Sequence, residues 1–158
     1  MRIIDKCRIC SGEISKPIFQ CGEQSLTGYF PTSINEKIMS GPLDLVICSD
    51  QCGCNLVQLK QSYDLDKMYG ENYGYRSGLN SSMVKHLETI VSKVLKYNIL
   101  KKNDLIIDIG SNDATTLKQY PKNNYSLLGI DPSAKKFKKF YTDDINLIVD
   151  FFSKKILN

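Results

Sequence analysis

Leu105-Ile106-Ile107-Asp108-Ile109-Gly110-Ser111-Asn112-Asp113 is the stretch that decides the fold. A run of β-prone apolar residues passes through an acid into a glycine and a polar turn, the signature of a buried strand entering a loop. Working outward, Thr115 to Tyr120 reads as a helix stopped by Pro121, and Ser126 to Ile130 as a second strand. Pro132 to about Tyr141 reads as a further helix, and Ile145 to Val149 as a third strand. Strands alternating with helices predict an α/β fold, a parallel sheet with crossover helices.

In such sheets ligands bind where strands end and helices begin. Gly110 permits a tight turn and close approach of a ligand to the backbone. Asp131 closes the second strand, where a carboxylate can accept the hydroxyl protons of a ribose. Pro132 suits the first position of the helix that follows. The turn lacks the full G-x-G-x-x-G pattern, which argues against a nicotinamide or flavin cofactor.

The chain changes character near residue 65. All six cysteines lie at or before Cys54. Short β-prone runs accompany them, at Lys16–Phe19, Leu43–Ile47 and Leu56–Leu59, separated by glycine- and proline-containing turns. Residues 1–64 are therefore expected to form a small β module, and residues 65–80 a tyrosine- and glycine-rich linker. Residues 81–158 then begin an α/β domain. A helix is expected from Ser81 to Tyr97, capped by Ser81 or Ser82. Its buried stripe would be Met83, Leu87, Ile90, Val91, Val94 and Leu95. His86, the single histidine, lies beside that stripe.

Cys7-Arg8-Ile9-Cys10 has the two-residue gap that lets two thiolates converge on one tetrahedral ion. The second half of such a site lies within Cys48-Ser49-Asp50-Gln51-Cys52-Gly53-Cys54. Cys48 and Cys54 are the preferred ligands, with Cys52 as the alternate for the fourth place. Four sulfur ligands leave no open position for water, so the expected Zn2+ is structural, and it would stabilise a module too small for a sufficient core. Cys21, with no partner at metal spacing, is expected in the core.

A net charge of +4 over 158 residues is modest and does not argue for nucleic-acid binding, which would normally show a dense basic face with aromatic residues among it. Lys135 to Lys139 reads as the solvated side of a helix. The charged segment Met1–Lys6 is unlike a signal peptide, and no apolar run approaches the ~20 residues of a membrane span. The expected setting is cytoplasmic, where thiols stay reduced.

A strand-ending acid, a glycine turn and a second strand-ending acid together form the pattern of class I methyltransferases. The chain resembles, almost end to end, the zinc-containing S-adenosylmethionine-dependent C-methyltransferases of nucleotide-linked deoxysugars. The matching residues are Cys7–Cys10, Cys54–Leu59, Tyr73–Gly78, Met83 with His86, Ile109–Asp113, Gly129–Ser133 and Val149–Phe152. The resemblance implies a zinc-binding β module, then a helix and the first βαβ part of an incomplete Rossmann-like methyltransferase domain. It implies that Asp108, Gly110, Ser111, Asn112 and Asp113 line an S-adenosylmethionine pocket, that Asp131 holds the ribose, and that Tyr75 lies near the sugar substrate. Two residues depart from the family, Asn55 and Ala114, both standing where glycine is usual.

The family's later strands, with the adenine contacts and the catalytic base, have no counterpart here. Carbon methylation next to a carbonyl needs a positioned base, so no turnover by this chain alone is expected. A missing C-terminal portion or a completing chain would supply it, and an exposed sheet edge after Ile145–Val149 would accompany such an unfinished sheet. The competing readings are a non-catalytic zinc-stabilised module that binds a nucleotide or a protein, and a redox or metal-handling protein.

Overall fold

The computed structural model describes residues 1–26, 28, 31–49, 54–70 and 73–157. The chain divides into two compact units, Met1–Met68 and Tyr69–Asn158. Cys52, the alternate fourth ligand, lies outside the described residues, as do Glu71 and Asn72 of the tyrosine-rich segment.

The first unit contains β1 (Arg2–Ile3), β2 (Phe19–Ser25), β3 (Ser40–Ile47), β4 (Val57–Leu59) and β5 (Gln61–Ser62), before a short helix α1 (Leu65–Tyr69). Strands β2, β3 and β4 form an antiparallel sheet in that order, and β1 pairs antiparallel with β5. The strand expected at Lys16 begins only at Phe19, because Pro17 has no N–H to give a ladder. Strand β2 is exposed along its length and shifts register between Gln20 and Glu23. Cys21 is consequently exposed rather than in the core, a correction to the expectation above.

Among the described residues of this unit, few aliphatic side chains are buried. Ile4, Leu26 and Val46 are, and Cys7 and Cys48 are buried with 3% and 0% of their surface exposed. The sulfur residues occupy the positions that a larger domain would fill with leucine or isoleucine.

In the second unit, α2 (Ser81–Lys96) forms as its three-and-four periodicity requires. Its cap is Asn80, whose Oδ1 accepts from the Ser82 backbone N–H at 2.9 Å, and not Ser81 or Ser82. Val91 is buried, and Met83, Leu87, Val94 and Leu95 are half-buried. Ile90 and His86, at the margins of the stripe, are exposed.

Strands β6 (Leu105–Ile109), β7 (Ser126–Ile130) and β8 (Ile145–Ile148) form a parallel sheet in sequence order. The register sets Asp108 beside Gly129 and Ile109 beside Ile130. Ala114, Leu117, Leu127 and Ile145 form its core, with Ile106, Tyr120, Tyr125 and Tyr141 packed against them.

The connections differ from expectation. Single 3-10 turns at Leu117–Gln119, Pro132–Lys135 and Lys138–Phe140 replace the two helices. Ala114 holds φ at 60° and Tyr120 is extended ahead of Pro121, so too few residues remain between them for an α-helical ladder. In the second connection the backbone leaves helical geometry at Phe137, whose ring is buried while the neighbouring lysines stay exposed.

Among the described strands β8 pairs with β7 alone and is an edge of the sheet, as expected, and β6 is the other edge. Leu105, Ile107 and Ile109 on the edge strand β6 are 57%, 38% and 56% exposed. On β8, Ile145 is buried and Leu147 and Ile148 are half-buried.

Candidate metal centre and cofactor loop

Cys7 and Cys10 flank a tight turn in which Ser11 N–H donates to the Cys7 carbonyl at 3.0 Å and Cys7 N–H to the Gly12 carbonyl at 2.8 Å. Ser11 takes a left-handed φ of 59° to close it. Cys48 follows β3, and its N–H donates to the Leu56 carbonyl at 2.9 Å, which holds the start of the return strand against it. Cys54 precedes Asn55, which has φ of 50°, a conformation asparagine tolerates well.

These elements bring Cys7, Cys10, Cys48 and Cys54 together, with all four sulfurs within 4.8 Å of one another. Cys7 and Cys54 sulfurs are 3.9 Å apart, and Cys10 and Cys48 sulfurs 3.4 Å. Thiolates bound about 2.3 Å from one tetrahedral ion stand about 3.8 Å apart, so the donor set matches a structural zinc in type, number and spacing. Backbone N–H groups of Cys10 and then Ile9 hold the Cys7 thiol down to about 6, favouring the thiolate a metal requires.

The loop after β6 is built differently. Gly110 has φ of 79°, and no described atom lies within 4 Å of where a Cβ would stand, so its backbone is open to approach. Ser111, Asn112 and Asp113 turn inward and are buried. Asn112 Oδ1 accepts from Ser77 N–H at 3.0 Å, and its Nδ2 donates to the Tyr75 carbonyl at 3.1 Å. Asp113 Oδ2 accepts from Gly78 N–H at 3.0 Å and faces Arg76 at 3.6 Å. Its other oxygen accepts from the Thr115 hydroxyl. A Cβ on Gly78 would meet Asp113 Oδ2 at 2.6 Å, so this approach of chain to loop requires glycine.

Asp131 is 6% exposed. Its Oδ2 accepts from Asn112 N–H at 2.8 Å, and its Oδ1 from Ser133 N–H and Oγ, both at 2.6 Å. Burial pushes the Asp108 carboxyl up, the Thr116 hydroxyl opposes this, and the nearby Asp131 charge adds to the rise. An open concavity of about 390 Å3, lined by Pro132, Ser133, Lys135 and Lys136, begins one residue beyond Asp131.

Tyr75 is 40% exposed and its ring meets Tyr73 edge-on at 6.3 Å, which in turn packs 5.5 Å from Tyr69. Lys136 donates to the Tyr73 carbonyl. Sequence reading missed two residues of this assembly. Arg76 lies 4.1 Å over the Phe140 ring while facing Asp113. Tyr141 hydroxyl donates to the Asn112 carbonyl at 3.1 Å and bonds Ser111 Oγ at 2.7 Å. In the first unit, Arg8, between the two knuckle cysteines, bonds Gln58, Leu59, Gln61 and Ser62, contacts that the sequence reading did not foresee.

Comparison with known proteins adds to this geometry. Residues 7–69 match a family described as a "putative zinc binding domain". The match opens at the first of the four clustered cysteines and includes all of them. Beyond it, the chain is distantly homologous to the C-methyltransferase NovU of Streptomyces niveus, with 25% identity over 138 residues, 84% of this chain. That alignment covers 31% of the relative, so the chain spans about a third of its length. Among the described residues no helix is long and apolar enough to cross a membrane.

Proposed function

We propose that the chain is the N-terminal portion of an S-adenosylmethionine-dependent methyltransferase that acts on carbon of a nucleotide-linked keto-deoxysugar. The observation that carries this reading is the pair of strand ends, Gly110 after β6 and Asp131 after β7, in adjacent parallel strands of one sheet. Zinc held by Cys7, Cys10, Cys48 and Cys54 would brace the first unit, its role structural because four thiolates fill the coordination sphere.

In the second unit, the open Gly110 backbone offers the approach for the methionine part of the cofactor. Asp131, beside the concavity over Pro132–Lys136, offers the ribose contact. S-adenosylmethionine supplies the methyl group when bound, and this chain's residues hold and orient it. Tyr75 and Tyr73 present aromatic surface toward the substrate side.

The base that removes the sugar's proton comes from a further segment or chain, which would also cover the face of β6 on which Leu105, Ile107 and Ile109 are exposed. Parallel sheets are ordinarily covered on both faces, which supports an addition there. The chain by itself is then inactive. The inward side chains of Asn112, Asp113 and Asp131, each already bonded within the chain, favour a second reading, a non-catalytic zinc-stabilised module.

Ultraviolet cross-linking of methyl-labelled S-adenosylmethionine to the zinc-loaded chain separates the two. Label confined to the peptide spanning residues 105–141, and displaced by S-adenosylhomocysteine, is the expected result. Absence of displaceable label overturns the cofactor reading.

A further inference from the structure

Gln58 is a buried polar residue that the metal chemistry above does not use. It lies on β4 opposite Val46 of β3 and is 7% exposed. Val46 and Cys48 are two residues apart on one extended run, so they share a face, and the cross-strand partner of Val46 lies on that face too. Gln58 therefore stands on the cysteine side of the sheet.

Its amide is fixed from one end only. Oε1 accepts from Arg8 N–H and from Arg8 Nη1, each at 3.2 Å. Arg8 is itself anchored to the Leu59 carbonyl at 2.5 Å, the Gln61 carbonyl at 3.3 Å and Ser62 Oγ at 2.8 Å. With the oxygen turned to Arg8, the amide nitrogen must point away from it. Nε2 is the one buried side-chain polar atom without a hydrogen-bond partner among the described residues. A buried donor left unpaired costs about 1–3 kcal/mol, so such an atom calls for an explanation.

Four thiolates around a divalent ion leave a doubly negative centre, and sulfur ligands of that kind are steadied by N–H donors around them. We propose that Gln58 is a positioning residue of the metal centre, its Nε2 donating to the Cys7 thiolate while Arg8 holds its Oε1. Arg8 and Gln58 thus link the first cysteine knuckle to the return strand. The inference rests on zinc occupying the four-cysteine site.

The test uses the zinc-loaded chain and two variants. Gln58→Glu keeps the oxygen that Arg8 holds but removes the donor, whereas Gln58→Leu removes both. Zinc content is measured first by native mass spectrometry, then zinc transfer to a chromophoric chelator, then the sulfur-to-metal charge-transfer band of the cobalt-substituted proteins. One zinc in the wild type, with release about 10-fold faster or more in both variants and a displaced cobalt band in Gln58→Glu, is the expected result. Wild-type release and an unmoved band in Gln58→Glu, with only Gln58→Leu impaired, would reduce Gln58 to a partner of Arg8 and overturn the proposal. A wild-type chain without zinc overturns the metal reading itself, and the proposal with it.

Discussion

The Asn112 backbone N–H donates to Asp131 Oδ2 at 2.8 Å, so the loop after β6 is fastened to the end of β7 by a single buried carboxylate. With Ser133 N–H and Oγ on the other oxygen, Asp131 receives three donors out of about four that a carboxylate can accept. A ribose hydroxyl has one remaining direction, or it takes the place of Asn112. The same carboxylate is thus a structural clasp and the proposed ligand contact.

Removing its charge should loosen the second unit. Asp131→Asn replaces one acceptor oxygen with a donor that faces other donors, and an expected loss is about 1–3 kcal/mol. Urea denaturation followed by far-ultraviolet circular dichroism measures it. An unchanged midpoint would contradict the clasp.

Ala114 offers a second check. It is fully buried with φ of 60°, a left-handed conformation costing an L-residue about 1–2 kcal/mol. In Ala114→Gly, relief of that strain offsets the lost methyl burial, and stability should stay within about 1 kcal/mol of wild type. Ala114→Val must place a branched side chain into both the strain and the packed core, with an expected loss above about 2 kcal/mol. Equal losses in the two variants would show that backbone strain does not govern the site.

Tyr141 gives the unit an alkaline limit. Burial, opposed by the Ser111 hydrogen bond and reinforced by the charges of Asp131, Asp108 and Asp113, pushes its hydroxyl up to about 12. The folded value lies above the unfolded one near 10. Its contribution is therefore fully present below pH ~10 and is lost as pH rises toward 12. Tyrosinate absorbance should show a late-titrating group that disappears in Tyr141→Phe. Titration of every tyrosine below pH ~11 would contradict the buried hydroxyl.

Metal removal should act on one unit. Structural zinc contributes ~10–16 kcal/mol in small zinc-dependent modules, and the first unit has few buried aliphatic residues to compensate. Chelation is expected to abolish amide-exchange protection in Ser40–Ile47 and Val57–Leu59 while Leu105–Ile109 stays protected. Protection retained in both segments would mean that the β module folds without metal.

The sequence made some of this legible because the signals were local. Cysteine spacing identified the four clustered sulfurs, and hydrophobic periodicity located α2 to within a residue. The three parallel strands stood out as β-prone runs. The crossovers did not, since apolar spacing alone does not distinguish a helix from 3-10 turns when a left-handed Ala114 and a pre-proline Tyr120 limit the first connection and Phe137 breaks the second. Asn55 and Ala114 were visible as departures from glycine, and both hold left-handed angles, the conformation that favours glycine. Gln58 and Arg8 were illegible as a pair because 50 residues separate them and no local spacing links them.

The measurement closest to the central claim is calorimetric titration of the zinc-loaded chain with S-adenosylmethionine. A parallel titration uses Asp131→Asn shown by circular dichroism to be folded. The account predicts saturable heat at one site per chain, competed by S-adenosylhomocysteine and weakened in the variant. No saturable heat from a folded, zinc-loaded chain would contradict it and leave the zinc-stabilised binding module as the better description.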